Sequence, residues 1–177
     1  MMDPVQMAMM DGADLRVGHL AQTAPARCDC CGHLPPAGTV AGLSLCTTCL
    51  PAFALDEYDI DCVTRLIWCP LFDQGALSRL VTALQAVSAK HETTLWSQEL
   101  SGEPLAAKRV FDTLKKQCEP AVSLLGTDRP SRLRAAARAL PRRPDHALSG
   151  IRCLTVSTWF AKSPAPPVSG TWEIQTV

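Results

Sequence analysis

Two cysteine pairs constrain this chain more than any other feature. Cys28 and Cys31 lie in Cys-Asp-Cys-Cys-Gly, Cys46 and Cys49 in Cys-Thr-Thr-Cys, with 14 residues between the pairs. A Cys-x-x-Cys places two thiolates on one tight knuckle. A connector of this length lets the second knuckle fold back and complete a tetrahedron of sulfurs. The spacing falls one residue short of the usual connector of about 15–20 residues in four-cysteine zinc sites. Four thiolates leave no open coordination position, which marks a structural zinc ion rather than a catalytic one. The candidate ligands are therefore Cys28, Cys31, Cys46 and Cys49, holding one zinc ion.

With 177 residues, 47 % hydrophobic and 19 % charged, the chain is long enough to bury a core without staples. It holds one Tyr and four Phe, so Leu, Ala and Val must fill most of that core. Net charge is zero but unevenly spread: residues 1–100 carry 11 acids and 5 bases, and residues 101–177 carry 6 acids and 12 bases. Either the second half meets an acidic partner or the halves complement each other internally. Nine cysteines could suggest disulfides, yet an odd number leaves one unpaired. Met1–Met10 lacks the positive and apolar regions of a signal peptide, and no apolar run reaches membrane-spanning length. A reducing compartment fits, and there clustered cysteines are metal ligands more often than bridges. No membrane insertion is expected.

Along the chain, residues 1–27 read as a flexible leader. Residues 28–72 form a knuckle module, with Val40–Leu45 as a short strand and Leu66–Pro70 extended because Pro70 biases Cys69 away from helix. Residues 73–162 read as a helical domain. Asp73 caps a first helix whose apolar stripe is Leu77, Leu80, Val81, Leu84 and Val87. Gly102-Glu103-Pro104 opens a second, with Ala107, Val110, Phe111, Leu114 and Cys118 on one face and Lys108, Arg109, Lys115 and Lys116 on the other. Asp128 caps a third, with Leu133, Ala136, Ala137 and Leu140 apolar. A fourth helix spans about His146–Ala161 with Leu148, Ile151, Leu154 and Trp159; Gly150 inside the pattern and the β-branched pair Thr155-Val156 count against it, and a short strand near Leu154–Phe160 is the competing reading. Residues 163–177 are a Pro-rich linker and a tail whose Trp172 and Ile174 should dock. Cys62, Cys69, Cys118 and Cys153 read as buried small hydrophobes, and Trp68 and Trp159 as core. Trp96 and Trp172 read as partner anchors.

The stretch Leu66-Ile67-Trp68-Cys69-Pro70-Leu71-Phe72-Asp73-Gln74-Gly75-Ala76-Leu77 resembles the LIYLPE(L/M)xQAxLN segment that follows the second knuckle in the DotN/IcmJ family. Members of that family belong to type IVB (Dot/Icm) secretion and related conjugative transfer systems. Cys28-x-x-Cys31-Gly32 is similar to the family's first knuckle, and Leu45-Cys46-Thr-Thr-Cys49 with Phe53 to its second. Ala139-Leu140-Pro141-Arg142-Arg143 stands where the family has Leu-Pro-Ser-Arg. The resemblance covers about residues 28–162. The inter-knuckle connector is shorter than the family's, and Cys69 and Leu71 replace Leu and Glu. The resemblance implies a non-enzymatic zinc adaptor or scaffold of the coupling complex. It would dock on the C-terminal extension of the coupling ATPase, on the cytoplasmic face of the inner membrane. The implied fold is helix-rich α+β: a small zinc-knuckle module of treble-clef or degenerate HNH-like type, packed on a bundle of about four helices.

Other chemistries fit the residues less well. HNH hydrolysis needs a His base, an orienting Asn and a divalent-metal site, but the chain has no Asn and only His33 lies between the knuckles. A redox reading of Cys-x-x-Cys needs a βαβ context, which is missing. Cys30 should point away from the metal, and His33 is the reserve ligand. A zinc-containing DNA-binding accessory protein of a mobile element is the alternative function, resting on Lys108, Arg109, Lys115, Lys116, Arg132, Arg134 and Arg138. Against it, no Lys or Arg lies between Cys28 and Cys49, and zinc modules that read DNA bring bases to the groove.

Overall fold

A computed structural model describes residues 3–20, 27–95, 97, 99–140 and 148–156. Helix α1 (Pro4–Met9) opens the chain, followed by strands β1 (Gly38–Val40) and β2 (Leu43–Leu45). Short helices α2 (Leu50–Phe53) and α3 (Ile60–Val63) lead into strand β3 (Thr64–Trp68). Three longer helices follow: α4 (Gln74–Lys90), α5 (Gly102–Lys116) and α6 (Cys118–Leu125). A 3-10 turn (Pro130–Arg132) precedes α7 (Leu133–Ala139), and strand β4 (Ile151–Thr155) closes the described chain. The result is a mixed α+β, helix-rich fold with two small two-stranded sheets. Among the described residues no helix is long and apolar enough to cross a membrane.

The β3–β4 ribbon organises the molecule. The strands pair antiparallel, with Leu66 opposite Cys153 and Trp68 opposite Ile151. Successive side chains on a strand face opposite ways, and here both faces are buried. Leu66, Ile151 and Cys153 join a core with α1, α2, α6, α7 and the knuckle cysteines. Ile67 and Leu154 join a second core with Leu77, Val81 and Leu84 of α4 and Ala107, Phe111 and Leu114 of α5.

Both edges of the ribbon are closed. Leu66 N donates to the Asp128 carbonyl at 2.7 Å and Trp68 N to the Gln117 carbonyl at 2.9 Å. On the other edge the Gln74 amide imitates a strand: its Nε2 donates to the Cys153 carbonyl and its Oε1 accepts from Cys153 N, each at 2.9 Å.

Several expectations meet a different outcome. The flexible-leader reading of residues 1–27 fails over 4–9. There Asp3 and Gln6 make a reciprocal capping box around Pro4, and Met7, Ala8 and Leu15 are fully buried in the knuckle core. The expected fourth helix is strand β4 where it is described; a helix from about 146 would place Gly150 mid-helix, whereas Gly150 packs so closely on the Trp68 ring that a Cβ would collide with it. Val40–Leu45 is a hairpin rather than one strand, turning at Ala41 and Gly42, both with positive φ, as a two-residue type I′ loop requires. Val110 is exposed, against the expectation that it lies on the apolar face of its helix. Asp128 does not cap the third helix. Its carboxylate meets Arg65 at 3.5 Å, while Asp61 binds Ser131 N at 3.0 Å and Ser131 Oγ at 2.6 Å. Helix α6 had no expected counterpart.

Other expectations match. Asp73 accepts from Ala76 N at 2.6 Å and starts α4. Lys108 lies on the polar face of α5 as expected, where it pairs with Asp112 at 3.1 Å. Part of the charge asymmetry is resolved internally: Arg134 pairs with Asp56 at 3.3 Å and Arg138 with Asp11 at 3.2 Å. Trp96, Trp159, Trp172, the Pro141–Arg143 segment and the 163–177 tail lie outside the described residues.

Candidate metal centre

The first knuckle turns on Gly32, whose N–H donates to the Cys28 carbonyl at 2.9 Å and whose φ is +68°. Asp29 then ties the knuckle to the hairpin: its N–H donates to the Ser44 carbonyl at 2.8 Å, and its carboxylate accepts from Ser44 N at 2.6 Å. Cys28 N donates to the Leu34 carbonyl at 2.9 Å. Strand β2 delivers Cys46 directly. The second knuckle closes as Cys49 N and Leu50 N both donate to the Cys46 carbonyl, at 3.0 and 2.8 Å, and runs straight into α2. Hairpin and α2 therefore present the two pairs to each other.

All four predicted ligands converge. The sulfurs of Cys28, Cys31, Cys46 and Cys49 lie within 4.8 Å of one another, and Cys31 Sγ is 3.8 Å from Cys46 Sγ. A tetrahedron with Zn–S bonds of about 2.3 Å has edges of about 3.8 Å, so that separation equals an edge of the zinc polyhedron. None of the four residues is more than 6 % exposed. The donor set, the distances and the closure against water fit one structural zinc ion.

Electrostatics point the same way. Hydrogen bonds from Cys46 and then Cys49 hold the Cys28 thiol well below its ordinary range, against the opposing effect of burial. The same contact with Cys28 pushes Cys46 up to about 12, and contacts with Cys28, Cys30 and Cys46 raise Cys49. One negative charge thus suppresses ionisation of its neighbours. A divalent cation at the centre stabilises all four thiolates together.

Cys30 stays outside the quartet, as its place between the ligands suggests. It does not turn away into solvent, however: it is buried, and its thiol reaches that of Cys49. His33 is exposed and takes no part. Among the remaining cysteines, Cys69 and Cys153 are buried, Cys118 is half-buried, and burial is the main cause raising all three thiols. Cys62 is exposed, contrary to the expectation that it is a core residue.

The surroundings of the centre were not visible in the sequence. Helix α4 lies over the first knuckle, with Gly75 against the Cys30 carbonyl and Arg79 Nη1 donating to the Cys31 carbonyl at 2.9 Å. Thr82 Oγ1 donates to Thr48 Oγ1 at 3.1 Å, and Thr155 of β4 donates to the Thr48 carbonyl at 3.2 Å. The i, i+4, i+7 spacing of Gly75, Arg79 and Thr82 on one helix face is their only common signal.

No family model matches this chain, and no similar protein was found among curated proteins or solved structures.

Proposed function

We propose that this protein is a non-enzymatic zinc-binding adaptor or scaffold subunit of a type IVB secretion or conjugation coupling complex. In this reading it works in the cytoplasm, peripheral to the inner membrane, and docks on the C-terminal extension of the coupling ATPase. The observation that carries the non-enzymatic part is the closed, buried set of four thiolates at Cys28, Cys31, Cys46 and Cys49, which offers a substrate no coordination position. The system assignment rests on the resemblance over residues 28–162.

Three features support the reading. The order knuckle, hairpin, second knuckle, helix suits the treble-clef module that the resemblance implies. Gln74, the Gln of the resembling segment, closes the ribbon edge through Cys153, so that segment has a structural task. The loop before α4 exposes Leu71 and Phe72, an apolar tip suited to a protein partner.

The alternative, a DNA-binding accessory protein, draws on exposed Arg109, Lys115 and Lys116 of α5 with Arg129 and Arg132 nearby in sequence order. Two assays separate the readings. Co-purification with the C-terminal segment of the coupling ATPase, weakened by Leu71→Asp, is expected of the adaptor. Mobility-shift binding to duplex DNA that falls steeply with salt, without such co-purification, would favour the alternative.

A further inference from the structure

Four thiolates around one divalent cation leave the filled centre with a net charge of about −2. A buried charge of that size needs compensation from nearby dipoles or cations. No Lys or Arg lies between Cys28 and Cys49, and His33 within that segment and Arg27 just before it are exposed. The acids adjoining the knuckle are already engaged: Asp29 holds Ser44 N, and Asp73 caps α4.

Compensation reaches the centre from α4. Gly75 has no side chain, so the helix backbone can approach the Cys30 carbonyl closely; a Cβ there would collide with it. One turn later Arg79 Nη1 donates to the Cys31 carbonyl at 2.9 Å. Among the described residues, Arg79 is the one basic side chain hydrogen-bonded to the 28–49 segment. Cys31 is itself a ligand, so this contact acts on the orientation of the very residue that presents the sulfur.

We propose that Arg79 is a positioning residue of the zinc centre. Its guanidinium fixes the Cys31 peptide, and with it the direction of the Cys31 thiolate, and places a positive charge beside the dianionic cluster. Gly75 sets the distance at which this happens. Groups just outside a metal's ligand shell commonly change its affinity by about 10–100-fold. The inference rests on the four-cysteine centre and is independent of the adaptor reading: it stands or falls on metal affinity, whatever the protein docks with.

The test uses the full zinc-loaded chain and its variants Arg79→Gln, Arg79→Lys and Thr82→Ala. Each is titrated with a competing chelator while zinc release is followed with a metal-sensitive dye. Saturating zinc at the start favours the folded state of every variant by mass action. A single N–H donor makes the contact, so an ammonium can replace it. Arg79→Gln is expected to hold zinc about 10–100-fold more weakly, whereas Arg79→Lys stays close to the parent. Thr82→Ala, which removes a contact on the same helix face without changing charge, also stays close to it. Parent-like affinity in Arg79→Gln overturns the proposal. So does an equal loss in Arg79→Lys, or a loss in Thr82→Ala as large as that in Arg79→Gln. If Arg79→Gln does not fold, Arg79→Lys decides: retention upholds the role, and a loss of tenfold or more overturns it.

Discussion

Cys46 and Cys49 show how one sulfur's charge depends on the others. Both thiols are raised, first by their contact with Cys28, so at neutral pH they hold their protons when no cation is bound. In the zinc complex they are thiolates. Binding must therefore release those protons, and affinity must rise with pH for as long as the unbound thiols still hold them. Acidification works in reverse, as protons displace the metal. Calorimetric zinc titrations in buffers of different ionisation enthalpy should report net proton release at pH 7; buffer-independent heats would contradict this. At this scale the sequence was informative about the ligands, because Cys-x-x-Cys fixes its own geometry through local turns. It gave no sign of Arg79 or of the turn of Cys30 toward Cys49. Those contacts depend on how α4 crosses the knuckle, and no short-range pattern encodes that crossing.

Among the elements, legibility follows amphipathicity. Helix α4 was readable because one face is buried, at Leu77, Val81 and Leu84, and Asp73 caps its start. Strand β3 was readable from Pro70. Strand β4 was obscured because every one of its residues is buried, which erases the alternation that marks a strand with one solvated face. Its apolar spacing imitates a helix. Helix α1 did carry a signal, Asp3-Pro4-Val5-Gln6, but six residues are too few for a hydrophobic period to stand out. The ribbon edge yields a specific prediction. Gln74 is buried and satisfies both backbone groups of Cys153. Gln74→Ala leaves a buried N–H and C=O unpaired, and should cost about 2–4 kcal/mol of stability, read from denaturant midpoints. A midpoint within error of the parent would show that water or a shifted side chain takes the place of the amide.

In the whole molecule, the zinc centre is embedded in the larger core. The four ligand cysteines share that core with α1, α2, α6, α7 and the inner face of the β3–β4 ribbon. Structural zinc contributes about 10–16 kcal/mol of binding free energy in small modules, comparable to or larger than the net stability of a typical domain. Metal removal should therefore loosen more than residues 28–49. Chelation is expected to strip amide-exchange protection from α1, α7 and β4 along with the knuckles. Protection lost only at residues 28–49 would mean that the core holds without its ion. The uneven charge of the two halves also becomes intelligible here, in part: Arg134 and Arg138 of α7 reach back to Asp56 and Asp11.

The account depends most on the state of the metal in the native protein. X-ray absorption at the zinc edge, combined with elemental analysis of protein purified without added metal, measures it directly. The expected result is one zinc per chain with four sulfur neighbours at about 2.3 Å. Protein purified without zinc, or zinc with nitrogen or oxygen in place of one of the four sulfurs, would contradict a closed structural centre at Cys28, Cys31, Cys46 and Cys49.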